Sequence, residues 1–185
     1  MIIKYFSDDT ISEKHRRDVD FINETCLSND SVDPDIDMYD WEAPEDGKFL
    51  LFDNDRVVGR VAVHKTMSEY NGESYCLGGF GGLAVLPEYR SNGYGRKLAE
   101  LALSKAGDLG VDVACMCVNM ESGITEFYKR LGFVFLNRPA YFVNWADKEK
   151  TDDTVMIMGI NNPALAEKIL NTEDIFAYGK NKGHW

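Results

Sequence analysis

Residues 83–98 run Leu-Ala-Val-Leu-Pro-Glu-Tyr-Arg-Ser-Asn-Gly-Tyr-Gly-Arg-Lys-Leu and leave a folding chain few options. Leu83, Ala84 and Val85 close an apolar strand, Pro87 to Tyr89 break it with a turn, and Gly93 and Gly95 open an amphipathic helix. A helix N-terminus carries unpaired backbone N–H groups and roughly half a positive charge. Gly93 and Gly95 lack the side chains that would keep an anion away from those donors. Arg90 and Arg96 flank the turn with guanidinium groups suited to phosphate oxygens, and Ser91, Asn92 and Tyr94 complete it. The local chemistry is that of a pyrophosphate cradle.

Two familiar phosphate loops are excluded by single residues. A Walker loop needs a hydroxyl after its lysine, and Lys97 is followed by Leu98. A dinucleotide fingerprint needs a third glycine where Leu98 stands. The helix carries Leu98, Leu101, Ala102, Ala106 and Leu109 on one face and stops near Gly107 and Gly110. Residues 112–118 are then apolar on both faces, which predicts a central, parallel strand. A strand-helix-strand unit of this kind crosses over right-handedly, so the cradle belongs at the carboxyl end of the sheet.

Composition bounds the rest. With 185 residues and 44% apolar content, the expectation is a single domain over residues 1–185. No apolar run of about 18 residues and no signal-peptide pattern is present, so the expected setting is cytoplasmic and off the membrane. Cys26, Cys76, Cys115 and Cys117 form no C-x-x-C pair and read as reduced core thiols. A net charge of −11 argues against a nucleic-acid partner and is compatible with a cationic substrate. No metal is called for.

Along the chain, residues 2–6 read as a first strand. Thr10 and Glu13 form a capping-box pattern ahead of Val19, Ile22 and Cys26 at helical spacing. Residues 28–47 are acidic, contain two prolines and read as loop or short helical turns, with Trp41 between Asp40 and Glu42 as an aromatic beside carboxylates. Residues 49–53 and 56–65 read as a hairpin, and Asn71-Gly72 predicts a second turn into a strand over residues 73–85. Gly78, Gly79, Gly81 and Gly82 within that strand mark a bulge or a close backbone approach. Residues 133–136, 141–145 and 154–160 supply the last strands, Asn162-Pro163 starts a short helix, and residues 175–185 read as a polar tail.

A second feature follows the central strand. Residues 119–133 run from Asn119 through a short helix to Phe127-Tyr128-Lys129-Arg130-Leu131-Gly132-Phe133. Together with Arg-x-x-Gly-x-Gly at residues 90–95, in this order and at this distance, it resembles the GNAT N-acetyltransferases over about sixty residues, 74–133. One departure is Glu121, where many relatives carry Asn.

The resemblance implies an α/β fold: a single GNAT domain with a mixed, twisted sheet of about seven strands and helices on both faces. It implies acetyl-CoA as co-substrate, held by Leu83, Ala84, Val85, Arg90, Ser91, Asn92, Gly93, Tyr94, Gly95, Arg96 and Tyr128. Tyr128 would return a proton to the departing thiolate, its alternative being a buried aromatic that anchors the helix.

Asp40-Trp41-Glu42, the acidic turn at Asp152 and the terminal Trp185 are similar to features of the aminoglycoside 2′-N-acetyltransferase branch. That branch has a glutamate as remote base where this chain has Gly81. The base is therefore sought in Glu42, with Asp40, His64, Asp152 and the Trp185 carboxylate as alternatives. Asp40, Trp41, Glu42, Asn119, Asp152 and Trp185 are the expected acceptor-binding residues. The expected activity is acetyl transfer to a primary amine, with a polycationic small molecule such as an aminoglycoside or polyamine as the favoured acceptor, by a monomer or homodimer. A protein lysine or N-terminal acetyltransferase and a non-catalytic acyl-CoA-binding module stand as alternatives.

Overall fold

The computed structural model describes residues 1–27, 45–118, 120, 123–144, 147–179 and 181–183. Among these the chain forms β1 (Ile2–Phe6), α1 (Glu13–Cys26), β2 (Glu45–Asp53), β3 (Arg56–Tyr70), β4 (Glu73–Val85), α2 (Tyr94–Asp108), β5 (Val113–Cys117), α3 (Thr125–Arg130), β6 (Val134–Phe135), β7 (Ala140–Val143), β8 (Glu149–Asp152), β9 (Val155–Gly159), α4 (Pro163–Asn171) and β10 (Phe176–Ala177). Seven strands make one mixed sheet in the order β1-β2-β3-β4-β5-β9-β6, and β10-β7-β8 make a second.

Local rules account for the order of the first strands. β1 and β2 pair antiparallel, as do β2 and β3 across a turn in which Asn54 takes a φ of 52°. Between β3 and β4, Asn71 and Gly72 both have positive φ, 52° and 81°, the type I′ geometry whose twist matches a tight hairpin. β4 then pairs in parallel with β5, Leu77 opposite Val113 and Gly78 opposite Ala114. A parallel pair cannot be closed by a tight turn, so the chain crosses over through α2.

By contact density the chain divides into two compact units. Of the described residues, the first holds 1–27, 45–64 and 80–105. In it Leu50, Leu51, Val58, Val61, Leu98, Ala99 and Ala102 are buried, with Ile22 from α1. α1 is tied to the start of β3 by Asp18, which accepts from the Val57 N–H at 3.1 Å. The N-cap of α1 is Ser12, whose hydroxyl accepts from the His15 N–H at 3.2 Å, and not Thr10. Thr10 is already used one turn earlier, donating its hydroxyl to the Ser7 carbonyl at 2.8 Å.

Of the described residues, the second unit holds 65–79, 106–118, 120, 123–144, 147–179 and 181–183. Its core gathers Tyr70, Leu77, Val113, Cys115, Phe142, Val155, Ile157, Ile169, Phe176 and Tyr178. α4 begins with Pro163 and is capped by Asn162, which accepts from the Leu165 N–H at 3.1 Å, as the sequence leads one to expect.

Three further expectations are corrected. Residues 45–47 are not loop but the start of β2. β8 pairs with β7 in a strand the sequence does not announce. Residues 175–183 are not a polar tail: Phe176 and Tyr178 are fully buried, and Tyr178 and Gly183 donate backbone N–H groups to Tyr141 and Val143 at 3.0 and 2.8 Å. Two aromatic side chains two residues apart and shut away from water do more for the core than the polar residues around them suggest.

All four cysteines are free thiols, and burial pushes those of Cys115 and Cys117 well above the ordinary range. Cys117 faces the Tyr178 hydroxyl at 2.7 Å. If residues 176–178 complete the core, Phe176→Ala should cost about 3–5 kcal/mol in denaturant unfolding. A loss below about 1 kcal/mol would show that the segment merely lies on the surface.

Candidate active site

The site begins where β4 ends. The Leu86 N–H donates to the Val58 carbonyl at 2.9 Å, which holds the end of β4 against β3. A single turn of 3₁₀ helix, Pro87–Tyr89, then redirects the chain. Tyr89 anchors this turn by donating to Asp53 at 2.8 Å, and Asn92 donates its amide to the Tyr89 and Arg90 carbonyls at 3.2 and 2.9 Å. Ser91 and Gly93 take φ values of 64° and 78°, and α2 starts at Tyr94. The Lys97 N–H reaches the Gly93 carbonyl at 3.1 Å. The N–H groups before it, in the first turn, have no acceptor within the helix.

Space in front of those donors is open. A methyl group built on Gly93 or on Gly95 would meet nothing within 4 Å. Ser91, Asn92 and Gly93 are exposed. Arg96 is exposed as well, and pairs with Glu100 at 2.7 Å one turn along the helix. An anion with several oxygens fits this arrangement, since it would meet backbone donors, a helix dipole and a reachable guanidinium together.

Arg90 is exposed, and part of its guanidinium turns back onto the end of β4. Its Nε donates to the Val85 carbonyl at 2.9 Å and its Nη2 lies 3.5 Å from the Cys26 sulfur. The guanidinium thus braces the turn against the end of β4. Cys26 also reaches the Val85 carbonyl, at 3.7 Å. Leu83 is half-buried, while Ala84 and Val85 are buried.

In the second unit, Tyr128 lies on α3 and is half-buried. Its ring packs near Phe127 and Phe133, with centroids 5.3 and 6.4 Å away. Its carbonyl accepts from the N–H groups of Leu131 and Phe133, which ends the helix. Burial raises the phenol above its usual range, so the side chain is protonated at neutral pH and able to donate. Asp152 closes β8 and holds the following turn, accepting from the Thr154 N–H and hydroxyl at 2.6 and 2.7 Å on the same oxygen. Asp40, Trp41, Glu42, Asn119 and Trp185 lie outside the described residues. Among the described residues no cluster of three His, Cys, Asp or Glu side chains is placed to hold a metal ion, and no helix is long and apolar enough to cross a membrane.

His64, one of the bases weighed above, is buried on β3, opposite Glu45. Burial lowers its pKa to about 4, against the opposing influence of Glu45. It is neutral at neutral pH and weakly basic. Residues that the sequence does not single out also gather here: Arg60 on β3 is buried, and its guanidinium meets Asn23 of α1 and Glu45 of β2. A charged residue inside the apolar run from Val57 to Val63 is the one signal that marks it in the sequence.

The depressed pKa has a direct consequence for stability. The folded state resists protonating His64, whereas the unfolded chain takes up the proton near pH 6.5. Stability from this residue is complete above that pH and is lost as the pH falls towards about 4. Relative to His64→Gln, the native chain should therefore lose about 2–3 kcal/mol between pH 7 and pH 4. Parallel pH profiles for the two proteins would mean that His64 titrates as in water.

The profile of the acetyltransferase (GNAT) family matches residues 16–133. Comparison with curated protein sequences gives no significant match. Among solved structures, the GNAT family N-acetyltransferase YhbS from Escherichia coli, in complex with CoA, is 18% identical with a TM-score of 0.59, covering 99% of this chain and 89% of that one. Arabidopsis thaliana NAA60, in complex with a bisubstrate analogue, is 14% identical with a TM-score of 0.56, covering 87% and 99%. The GCN5-related N-acetyltransferase from Kribbella flavida is 20% identical with a TM-score of 0.55; the alignment covers 76% of this chain but 35% of that longer one. The profile match spans more than half of the chain and takes in both the glycine turn before α2 and the Tyr128 helix, and on that ground the chain belongs to the acetyltransferase (GNAT) family.

Proposed function

We propose that this chain transfers the acetyl group of acetyl-CoA to a primary amine. The observation that carries the reading is the open, glycine-lined N-terminus of α2 at the end of β4, within a family match that spans it. Backbone N–H groups of residues 93–96, with the Arg96 side chain, would hold the pyrophosphate. Acetyl-CoA supplies the activated acyl group: the amine nitrogen bonds to the thioester carbonyl carbon as the carbon–sulfur bond breaks.

The chain's own residues then have three tasks. N–H groups of Leu83 and Val85 are candidates for polarising the thioester oxygen, where aligned donors are worth most. A carboxylate must take a proton from the incoming ammonium, because a protonated amine cannot attack. Glu42 is our candidate, with Asp40 as the alternative. Tyr128, kept protonated by its partly buried setting, would give a proton to the departing thiolate. Holding both substrates in line supplies much of the acceleration.

For the acceptor we favour a polycationic small molecule, an aminoglycoside or a polyamine. The support is chemical: Asp40, Trp41 and Glu42 stand in a strongly acidic segment of a chain with net charge −11. Several carboxylate–ammonium contacts of about 0.5–1 kcal/mol each, weakened by salt, would give the preference. Asp152 adds less than its charge suggests, because its carboxylate is engaged with Thr154. A peptide amine is the second reading, since the fold is also that of NAA60, solved with a bisubstrate analogue.

Release of free thiol from acetyl-CoA, measured with kanamycin, spermidine, a lysine peptide, a peptide with a free N-terminus and a neutral amino acid, separates these readings. The expected result is fastest turnover with a polycation, with a preference that salt erodes. Turnover of the peptides alone would move the assignment to protein acetylation. Binding of CoA without thiol release from any amine would leave a non-catalytic module. In the same assay Tyr128→Phe should lower kcat by about tenfold or more while acetyl-CoA binding stays close to native, and a kcat within about twofold would make the tyrosine structural.

A further inference from the structure

β3 is apolar and buried from Val57 to Val63 except at one position, where it carries Arg60. That side chain is only 7% exposed. Three neighbours surround its guanidinium. Nη1 donates to Asn23 Oδ1 at 2.7 Å, and Nη2 stands 3.8 Å from Glu45 Oε1. The third neighbour is backbone: Gly82 of β4 takes a φ of +56°, and a methyl group there would lie 2.7 Å from the Arg60 Cζ and closer still to Nη2. The guanidinium therefore fills the volume left by the missing Gly82 side chain. All four residues belong to the first compact unit.

This arrangement is expensive. Burial works against the cation, the Glu45 carboxylate favours it, and Nε finds no hydrogen-bond acceptor among the described residues. A Leu or Met would fill an apolar gap without those costs. What a guanidinium adds is a flat, rigid face fixed on one edge by Asn23 and drawn to Glu45 on another. Gly81-Gly82 has little intrinsic preference for one backbone conformation. The residues that follow it are Leu83, Ala84 and Val85, whose N–H directions depend on how that pair is turned.

We infer that Arg60 is a positioning residue for acyl transfer: wedged against Gly82, it holds the left-handed bend in β4 and thereby aims the N–H groups of Leu83 and Val85, which lie on the opposite edge of the strand from the Leu86 N–H bonded to β3. The inference rests on the reading of that segment as the thioester-polarising strand. Donors of this kind act only when they are fixed beforehand, so loosening the bend costs turnover more than it costs binding. Phosphate groups are held by a different segment, residues 90–96, and CoA affinity stays nearly native. Lysine cannot replace Arg60, because an ammonium is a point donor without a face to lay against the backbone.

The test uses the full chain with the best amine from the thiol-release panel. Arg60→Lys and Arg60→Met should each lower kcat about tenfold or more, with CoA affinity by calorimetry within about threefold of native. Asn23→Ala, which keeps Arg60 but removes its hydrogen-bonded anchor, should lower kcat by a smaller factor of about threefold with the same unchanged affinity. A folded Arg60→Met variant with native kcat overturns the inference, as does a parallel loss of kcat and CoA affinity. Should both Arg60 variants fail to fold, native kcat in Asn23→Ala overturns it instead. Failure of the underlying reading looks different: the native chain itself would release no thiol with any amine.

Discussion

The parallel pairing of Leu77 with Val113 and of Gly78 with Ala114 decides how the rest of this chain is arranged. A chain leaving β4 at Val85 must travel back along the sheet before β5 can start beside it. The 15 residues of α2, about 1.5 Å each, supply that return. The helix must then begin just beyond the carboxyl end of β4, within a few residues of the strand. Its unpaired N–H groups, its dipole and its glycines arrive at one place for a topological reason, and the candidate anion site owes its position to the crossover. Pro87, Tyr89 and Asn92 make the short turn between them stiff, through the 3₁₀ turn and three side-chain hydrogen bonds.

β4 accepts costs that an ordinary strand avoids. Gly78, Gly79, Gly81 and Gly82 remove side chains from its middle, and Gly79 and Gly82 take positive φ values of 148° and 56°. Such a strand has backbone freedom to lose and little side-chain packing with which to lose it. The buried Arg60 guanidinium against Gly82 and the Arg90 bond to the Val85 carbonyl act on either side of residues 83–85. A segment weak in local preference is held from outside, one cation at each end. Backbone donors that must keep one direction need that kind of support.

Much of this was readable from residue order. The Asn71-Gly72 turn, β1, β4 and the start of α2 follow from short-range rules that the surroundings do not override. The turn and helix start around Gly93 and Gly95 were legible because their signals are local. What stayed hidden depends on partners far away in sequence. Thr10 and Ser12 are equally good caps on paper, and the choice was made by the Ser7 carbonyl. Phe176 and Tyr178 look like tail aromatics until the second unit closes over them. Arg60 reads as an oddity in a strand, and its meaning appears only when Asn23, Glu45 and Gly82 come together around it. The contacts of Arg90 with Val85 in β4 and Cys26 in α1 could not be read from its type.

The central claim is that the N-terminus of α2 holds the pyrophosphate of coenzyme A, and one titration examines it. CoA binding is measured by calorimetry on the native chain and on Gly93→Asp, with circular dichroism confirming that the variant is folded. An aspartate at this position brings a side chain and a negative charge into the open space before the helix, at a backbone φ of +78°. The account requires measurable binding to the native chain and at least about tenfold weaker binding to the variant, about 1.4 kcal/mol or more. Equal affinity in a folded variant would contradict it.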